Sequence, residues 1–484
     1  MPVLRVEGQL SLEWSDREGY RAAGGKPRGF ERRLLDRSPM DAIFLTQQIS
    51  ADSGISHALA AVWAWEKAGD LDVAPNGRRL RDLLHMTSFL HAHLRCFYFQ
   101  ILPDYLPFAA MGDYGGRLIA AVYAGTGMKT RKLKWRIESS SHRFSSAERD
   151  LLFEHLMLVS HTLGVLQRTM AILGGKFPVV MSIVPGGMST PLTGDTVVTL
   201  DRLFGDVEHV VTDLALEDGL TLLERYPEMG GAGKGLHNYI SMGAGTDSAT
   251  GLFAPGAAIN GRLQTLDLPV TESIGRSYYR IAAGTSGSAA APREAPGKSS
   301  AYSWIKAPRM GGVAVETGPF ARLIITQRAG TNSRTATVEA LLEDYLRIPL
   351  AESNTTGGRI LAMLAEMGVI VRRCREILRE LEPGEPTAAA GGDAFRVSGD
   401  GTGRLESPSG ALQHRMILDD GKVFFYDVIA ASTWNGGPRD EQDQKGPLET
   451  ALDTAGEPGD TPEARLALAR IVHAFAFSAA DAVH

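Results

Sequence analysis

Apolar side chains recur along this chain with two different periods, and the switches between them divide it into elements. Residues 3–13, VLRVEGQLSLE, alternate and run into SDREGY, which predicts a short strand and turn that begin a small sheet. From 39 to 68 the period becomes helical, with a break at ISADSGIS, so helices flank that stretch. Helical periods return at 77–102, 146–173, 195–225 and 338–382, the last interrupted at ESNTTGG. Together these predict a long-helix bundle. Residues 411–432, ALQHRMILDDGKVFFYDVIAAS, read as two strands around an Asp-Gly turn, because Asp-Gly allows the positive φ angles of a tight hairpin. The tail from Thr461 reads as a closing helix.

Two stretches lack either period. Residues 284–300 and 384–403 are rich in Gly, Ala, Pro and Ser and are expected to be loops within a single 1–484 domain rather than domain boundaries. The most apolar long stretches, LLHMTSFLHAHLRCFYFQILPDYL and LLFEHLMLVSHTLGVLQRTMAIL, carry His, Arg or Glu and are expected in the bundle rather than across a membrane.

Composition narrows the function classes. A chain of 484 residues with 44% hydrophobic and 22% charged content can bury a large core. Its formal net charge of -6 gives no overall electrostatic footprint for nucleic acid. Two cysteines, Cys96 and Cys374, sit in apolar helical stretches, so this chain alone builds neither a disulfide framework nor an all-cysteine metal site. MPVLRVEGQL has no basic region followed by an apolar run, so a cytoplasmic location is expected, with export beside a partner left open.

Generic chemical motifs fail. GGAGKG at 230–235 looks like a phosphate loop, but that loop needs Gly at Glu228 and a hydroxyl at Gly235. The nucleophile-elbow and HExxH zinc patterns are absent, and the histidines flanking Ala92 in HAH suit a buried pair better than a metal site.

SAYSWIKAPRMGGVAVETGPFARL, at 300–323, resembles the large subunit of nickel-iron hydrogenases, which carries a similar Y-S-W-x-K-A-P-R followed by E-x-G-P-x-A-R. RVEG at 5–8, GFE at 29–31, SHALAA at 56–61, ILGGKFP at 172–178, PGG at 185–187, HNYISMG at 237–243 and STWN with PRD at 432–440 resemble the same family in order. The resemblance spans essentially the whole chain. It implies an α+β fold, a long-helix bundle with small peripheral β-sheets.

In that family two cysteine pairs, R-x-C-G-x-C and D-P-C-x-x-C-x-x-H, hold nickel and iron, and soft sulfur suits these metals. Here the first pair falls on Ser50 and Ser53 and the second on Ser478 and Asp481. The aspartate and proline of the second motif become Ala476 and Phe477. The aspartate expected between the two helix histidines becomes Ala92. The arginine of an E-x-P-R-G stretch, which the resemblance places over the metals, becomes Ser409. A nickel-iron centre is therefore not expected, since a serine hydroxyl does not replace a thiolate as a soft ligand. Ser50 and Ser53 equally suit hydroxyls bonded to nearby backbone in a turn, and Asp481 a carboxylate facing solvent or a lysine.

Other positions persist. Glu7 matches the family's proton-path glutamate, and Glu31 and His484 resemble two ligands of its buried magnesium site, with a plain buried ion pair as the alternative. Family precursors carry an extension after that histidine, removed once metal is loaded. A sequence ending at His484 is expected to have no such checkpoint.

The resemblance implies an iron-sulfur small subunit as partner, carrying the clusters. The leading expectation is a structural subunit that has lost hydrogen chemistry. A second is a repurposed oxidoreductase, in which the space lined by Ser50, Ser53, Ser409, Ser478 and Asp481 binds another substrate or a hard metal and Glu7 relays protons. A maturation scaffold ranks last, because Cys96 and Cys374 match neither ligand motif.

Overall fold

The computed structural model describes residues 1–3, 5–106, 142–244, 251–280, 292–330, 349–389, 396–456 and 461–484, with 340, 342–344, 347 and 459. Its helices follow the helical periods. Pro39–Thr46 and Gly54–Gly69 flank the expected break, Pro75–Arg95 continues in wider turns over Cys96–Ile101, and Ser146–Gly174 and Thr356–Glu380 are the longest. Local chemistry sets their ends. Ser145 and Glu148 cap Ser146–Gly174 reciprocally, Gly175 ends it in a left-handed conformation, and Thr355 caps Thr356–Glu380 just where ESNTTGG interrupts the period.

The small sheets lie around this bundle. Leu10–Ser15 pairs antiparallel with Gly19–Gly24, and Gly399–Ser407, Gly410–Asp419 and Lys422–Ile429 form a three-stranded antiparallel sheet. The Asp-Gly hairpin forms as its sequence predicts, with Asp420 and Gly421 both at positive φ, 44° and 72°. The first strand starts at Leu10 rather than at residue 3. Arg5 and Gly8 adopt left-handed backbone, and the resulting bend takes Glu7 out of the alternating pattern.

The loop expected at 384–403 is shorter than its composition suggests. From Gly399 onward the chain is a strand, and Gly399, Gly401 and Gly403 share one of its faces. A Cβ on these residues would lie 2.2, 1.9 and 2.0 Å from the carbonyl oxygens of Ala68, Ala64 and Ala60. The glycines therefore let this strand lie directly on the alanine stripe of helix Gly54–Gly69. Part of the other expected loop, 284–291, lies outside the described residues, and Arg293–Glu294 forms a short strand with Tyr279–Arg280.

Two cores result. The main one joins Gly54–Gly69, Pro75–Arg95, Ser146–Gly174 and Thr356–Glu380 through residues such as Trp65, Leu83, Leu166 and Ile370. The second packs the N-terminal hairpin against the C-terminal segment through Leu10, Tyr20, Ile305, Val472, Phe477 and Val483. Among the described residues one helix, Ser146–Gly174, is long and apolar enough to cross a membrane. Here one side of it sits in the main core, and the exposed side mixes Leu151 and Leu158 with Glu154, His161 and Arg168.

Candidate functional site

The bend at Arg5–Gly8, the turn between Thr46 and Gly54, and the short helix Ala479–Ala482 meet where the two cores join. Glu7 binds all three together. Ser50 Oγ donates to Glu7 Oε2 at 2.9 Å, Ser478 Oγ donates to the same oxygen at 3.1 Å, and the Ala51 amide donates to Oε1 at 3.0 Å. The Ala480 amide donates to the Glu7 carbonyl at 3.0 Å. That close approach requires Gly8, where a Cβ would lie 2.7 Å from Ala480 N. Burial and the nearby Asp52 charge raise the Glu7 pKa above the usual carboxylate range, while the three donors oppose that rise.

Arg28 reinforces the same junction. Its guanidinium donates to the carbonyls of Gln48, at 3.0 Å, and Ala480, at 2.8 Å, and to that of Ile49. The two backbone segments carrying Ser50 and Asp481 are thus tied by one side chain.

Asp481 begins a second series of contacts. Its Oδ1 lies 2.8 Å from His57 Nε2, His57 Nδ1 lies 2.9 Å from His414 Nε2, and His414 Nδ1 lies 2.7 Å from the Tyr426 hydroxyl. Burial lowers the pKa of both histidines and raises that of Tyr426. A carboxylate only accepts, so Tyr426 donates to His414, His414 to His57 and His57 to Asp481, with both rings neutral. Every ring nitrogen in the series is then satisfied.

Ser478 has a further role as the N-cap of its short helix, accepting from the Asp481 amide at 3.1 Å. Ser-x-x-Asp at 478–481 is a capping pattern, and that signal was legible in the sequence. Ser53 occupies the N-cap position of helix Gly54–Gly69, and its carbonyl accepts from the His57 amide at 2.9 Å. Neither Ser50 nor Ser478 is merely bonded to local backbone, and Asp481 faces a histidine rather than solvent or lysine. His57, His414 and Tyr426 were missed as site residues. The alternation of ALQHRMIL carried a signal for one of them, since it sets His414 in phase with buried Leu412, Met416 and Leu418.

The sequence of the family described as "Nickel-dependent hydrogenase" is matched over residues 28–124 and 139–484. The chain belongs to the nickel-dependent hydrogenase family. It is 28% identical over 469 residues to the periplasmic [NiFeSe] hydrogenase large subunit of Desulfomicrobium baculatum, covering 93% of this chain and 88% of that protein. It is also 28% identical over 560 residues to the Hydrogenase-2 large chain of Escherichia coli (strain K12), covering 100% and 96%. The Ni-Fe-Se hydrogenase of D. vulgaris Hildenborough in its as-isolated oxidized state superposes with a TM-score of 0.86 at 27% identity, covering 100% of this chain and 98% of that one.

At the four positions where the resemblance places metal ligands, this hydrogenase-family chain has three hydroxyls and one carboxylate, and two of the hydroxyls donate to Glu7. These hard oxygen donors do not fit a nickel-iron group. Ala92, Ser409 and Ala476, which the resemblance places above the metals, have these surroundings. Ala92 is buried between His91 and His93, and His93 Nε2 lies 2.6 Å from Glu366 Oε1. Ser409 turns away to a 3.2 Å contact with Ser407 Oγ, and Ala476 packs at the edge of the main core.

Of the five positions expected to line one space, Ser50 borders a cleft that the other four do not. A cleft of about 210 Å³, partly open to solvent, is lined by Glu7, Ser50, Asp52, Ser88, His91 and Phe177 among others, but not by Ser53, Ser409, Ser478 or Asp481. Phe477 lies in the second core against Gly436, outside that cleft.

Glu31 and His484 do come together, with Glu31 Oε1 3.4 Å from His484 Nε2. The same oxygen lies 3.3 Å from Lys306 Nζ, which also meets Glu272 at 3.0 Å and Asp427 at 3.2 Å. The His484 ring nitrogens face the carbonyls of Asp481, at 3.0 Å, and Val428, at 2.9 Å. Carbonyls only accept, so the ring is a double donor. Burial acts to lower its pKa, yet the Glu31 carboxylate prevails and raises it. Burial works against ionising Glu31 too, but Lys306 and His484 bring its pKa down to about 2. Glu31 Oε1, His484 Nε2 and the Val428 carbonyl thus converge, and Lys306 brings an ammonium to the same carboxylate. Among the described residues no group of three or more His, Cys, Asp or Glu is placed to hold a metal ion.

Proposed function

We propose that this chain is a hydrogenase large-subunit-like protein without a nickel-iron centre, serving as a structural subunit beside an iron-sulfur small subunit. The observation that carries this reading is the fate of the four ligand positions. Ser50, Ser478 and Asp481 are engaged in hydrogen bonds within the protein, and no thiolate stands at any of the four. Charge bookkeeping supports it. The resemblance places two aspartates and an arginine where Ala92, Ala476 and Ser409 stand, so charges of both signs are lost together. Removing one partner of a buried pair costs about 3–5 kcal/mol, whereas removing both avoids leaving a bare charge. The relatives named above are hydrogenase large subunits and chains, which supports a partner of the small-subunit type. The proposed compartment is the cytoplasm, with co-export beside the partner as the alternative. Affinity purification of the native complex tests the proposal. An iron- and sulfide-bearing partner in equal amount, with no hydrogen uptake, is expected, and a lone monomer would refute it.

The cleft beside Glu7 and Ser50 favours a second reading, a repurposed oxidoreductase subunit that binds a small molecule there. Phe477 leaves that space open, and Glu7 borders it. A ligand that raises the melting temperature of the wild type but not of a His91→Ala variant would support this reading. A maturation scaffold has less support. Cys96 and Cys374 are buried in separate helices, and burial pushes the Cys96 thiol up to about 12, away from the thiolate a soft metal needs.

A further inference from the structure

Three segments far apart in sequence meet at Glu7, where polar contacts join the buried apolar side chains Ile49, Ala479, Ala482 and Val483. Segment 5–8 is bent by two left-handed residues, 48–53 is the turn between two helices, and 478–484 ends in a helix of four residues. So short a helix has no stability of its own, because nucleation is unfavourable and only one turn is formed. Its amides donate to Glu7 O, Ser478 Oγ, Ser478 O and Ala479 O. Its polar side chains, Ser478, Asp481 and His484, are each buried and each paired with another segment: Glu7, His57 and Val428 respectively.

We propose that Glu7, Ser50 and Ser478 form a metal-independent clasp that holds the 478–484 turn in the fold, with Asp481 and His57 as its second point of attachment. The inference rests on the reading that no nickel-iron group occupies this place. Glu7 Oε2 accepts from Ser50 and Ser478 at once, so the carboxylate is a cross-link between the helix-helix turn and the C-terminal turn. Ser50 acts on residues 478–484 through Glu7. Arg28 bridges the same backbones in parallel and keeps the rest of the junction together when the clasp is opened. The open cleft beside Glu7 and Ser50 gives the parted segments somewhere to move.

The test is hydrogen exchange on the full-length chain, with metal content measured on the same sample. Wild-type protein without nickel is expected to protect the amides of Ala480 to Val483. Ser50→Ala and Glu7→Ala are each expected to speed their exchange at least tenfold, while amides of helix Thr356–Glu380 stay as they were. Adding Ser50→Ala to Glu7→Ala is expected to change the rate less than twofold, because the serine acts through the carboxylate. Unchanged exchange in Ser50→Ala, or additive effects in the double variant, would overturn the clasp while leaving the metal-free reading intact. Nickel in the protected wild type would overturn that reading and the clasp with it.

Discussion

Asp481 Oδ1 and His57 Nε2 lie 2.8 Å apart, although 424 positions separate them in sequence. Both side chains are buried, at 1% and 0% exposure, so water does not replace this contact when it is lost. Asp481→Ala leaves the His57 N–H without an acceptor and is expected to cost about 1–3 kcal/mol, whereas Asp481→Asn keeps an acceptor oxygen and costs less. Urea denaturation of the two variants measures that order. Equal losses would mean that the contact is incidental to stability.

Lys306 touches Glu31, Glu272 and Asp427 together. Lys306→Met leaves three buried or half-buried carboxylates facing one another and is expected to destabilise the fold by about 3–5 kcal/mol. In the wild type the ammonium already answers this charge, so chelating magnesium is expected to leave the melting temperature unchanged. A chelator-induced fall in melting temperature, restored by magnesium, would show that a metal shares the site.

Glu449 gives the pH dependence a sign. Burial raises its pKa to about 7 from an ordinary 4.5, although the Ala22 amide and the Tyr302 hydroxyl oppose the shift. Between these values the folded state holds a proton that the unfolded state has released, so stability falls as pH rises from about 4.5 through about 7. The loss is of order 3 kcal/mol, at 1.36 kcal/mol per unit. Glu449→Gln carries no such proton. It is expected to be slightly less stable than wild type at pH 5 and more stable at pH 8, as thermal melts at the two pH values would show.

Gly401 makes the closest approach of the glycine stripe, since an added Cβ would lie 1.9 Å from Ala64 O. Gly401→Ala has to part strand Gly399–Ser407 from helix Gly54–Gly69, at a cost of about 1–3 kcal/mol or more. Because that strand is paired with the one carrying His414, the variant is also expected to loosen the His57–His414 contact. Imidazole NMR signals shifted toward solvent values would report this.

Much of the architecture was legible in the sequence because its signals are local. Apolar periodicity placed the long helices, Asp420-Gly421 fixed the hairpin, and motif order marked the family. The misplaced parts depend on distant partners. Gly399, Gly401 and Gly403 read as loop until Ala60, Ala64 and Ala68 lie against them, and Glu7 leaves its strand pattern because Ser50 and Ser478 draw it inward. The candidate site was legible as a set of lost ligands, Ser50, Ser53, Ser478 and Asp481. Their new partners were not, because Glu7 reaches Ser50 across 43 positions and Ser478 across 471, His57 reaches Asp481 across 424, and no short-range pattern encodes such a pairing. The Ser478-x-x-Asp481 capping pattern and the in-phase burial of His414 were there to be read.

What occupies the junction of Glu7, Ser50 and Ser478 decides whether the chain carries a nickel-iron centre. The most direct measurement is nickel and iron analysis of the protein purified with its bound partner, together with infrared absorption in the cyanide and carbonyl region. Iron with sulfide, no nickel and a silent infrared window is the result the account predicts. Nickel accompanied by cyanide and carbonyl bands would contradict it.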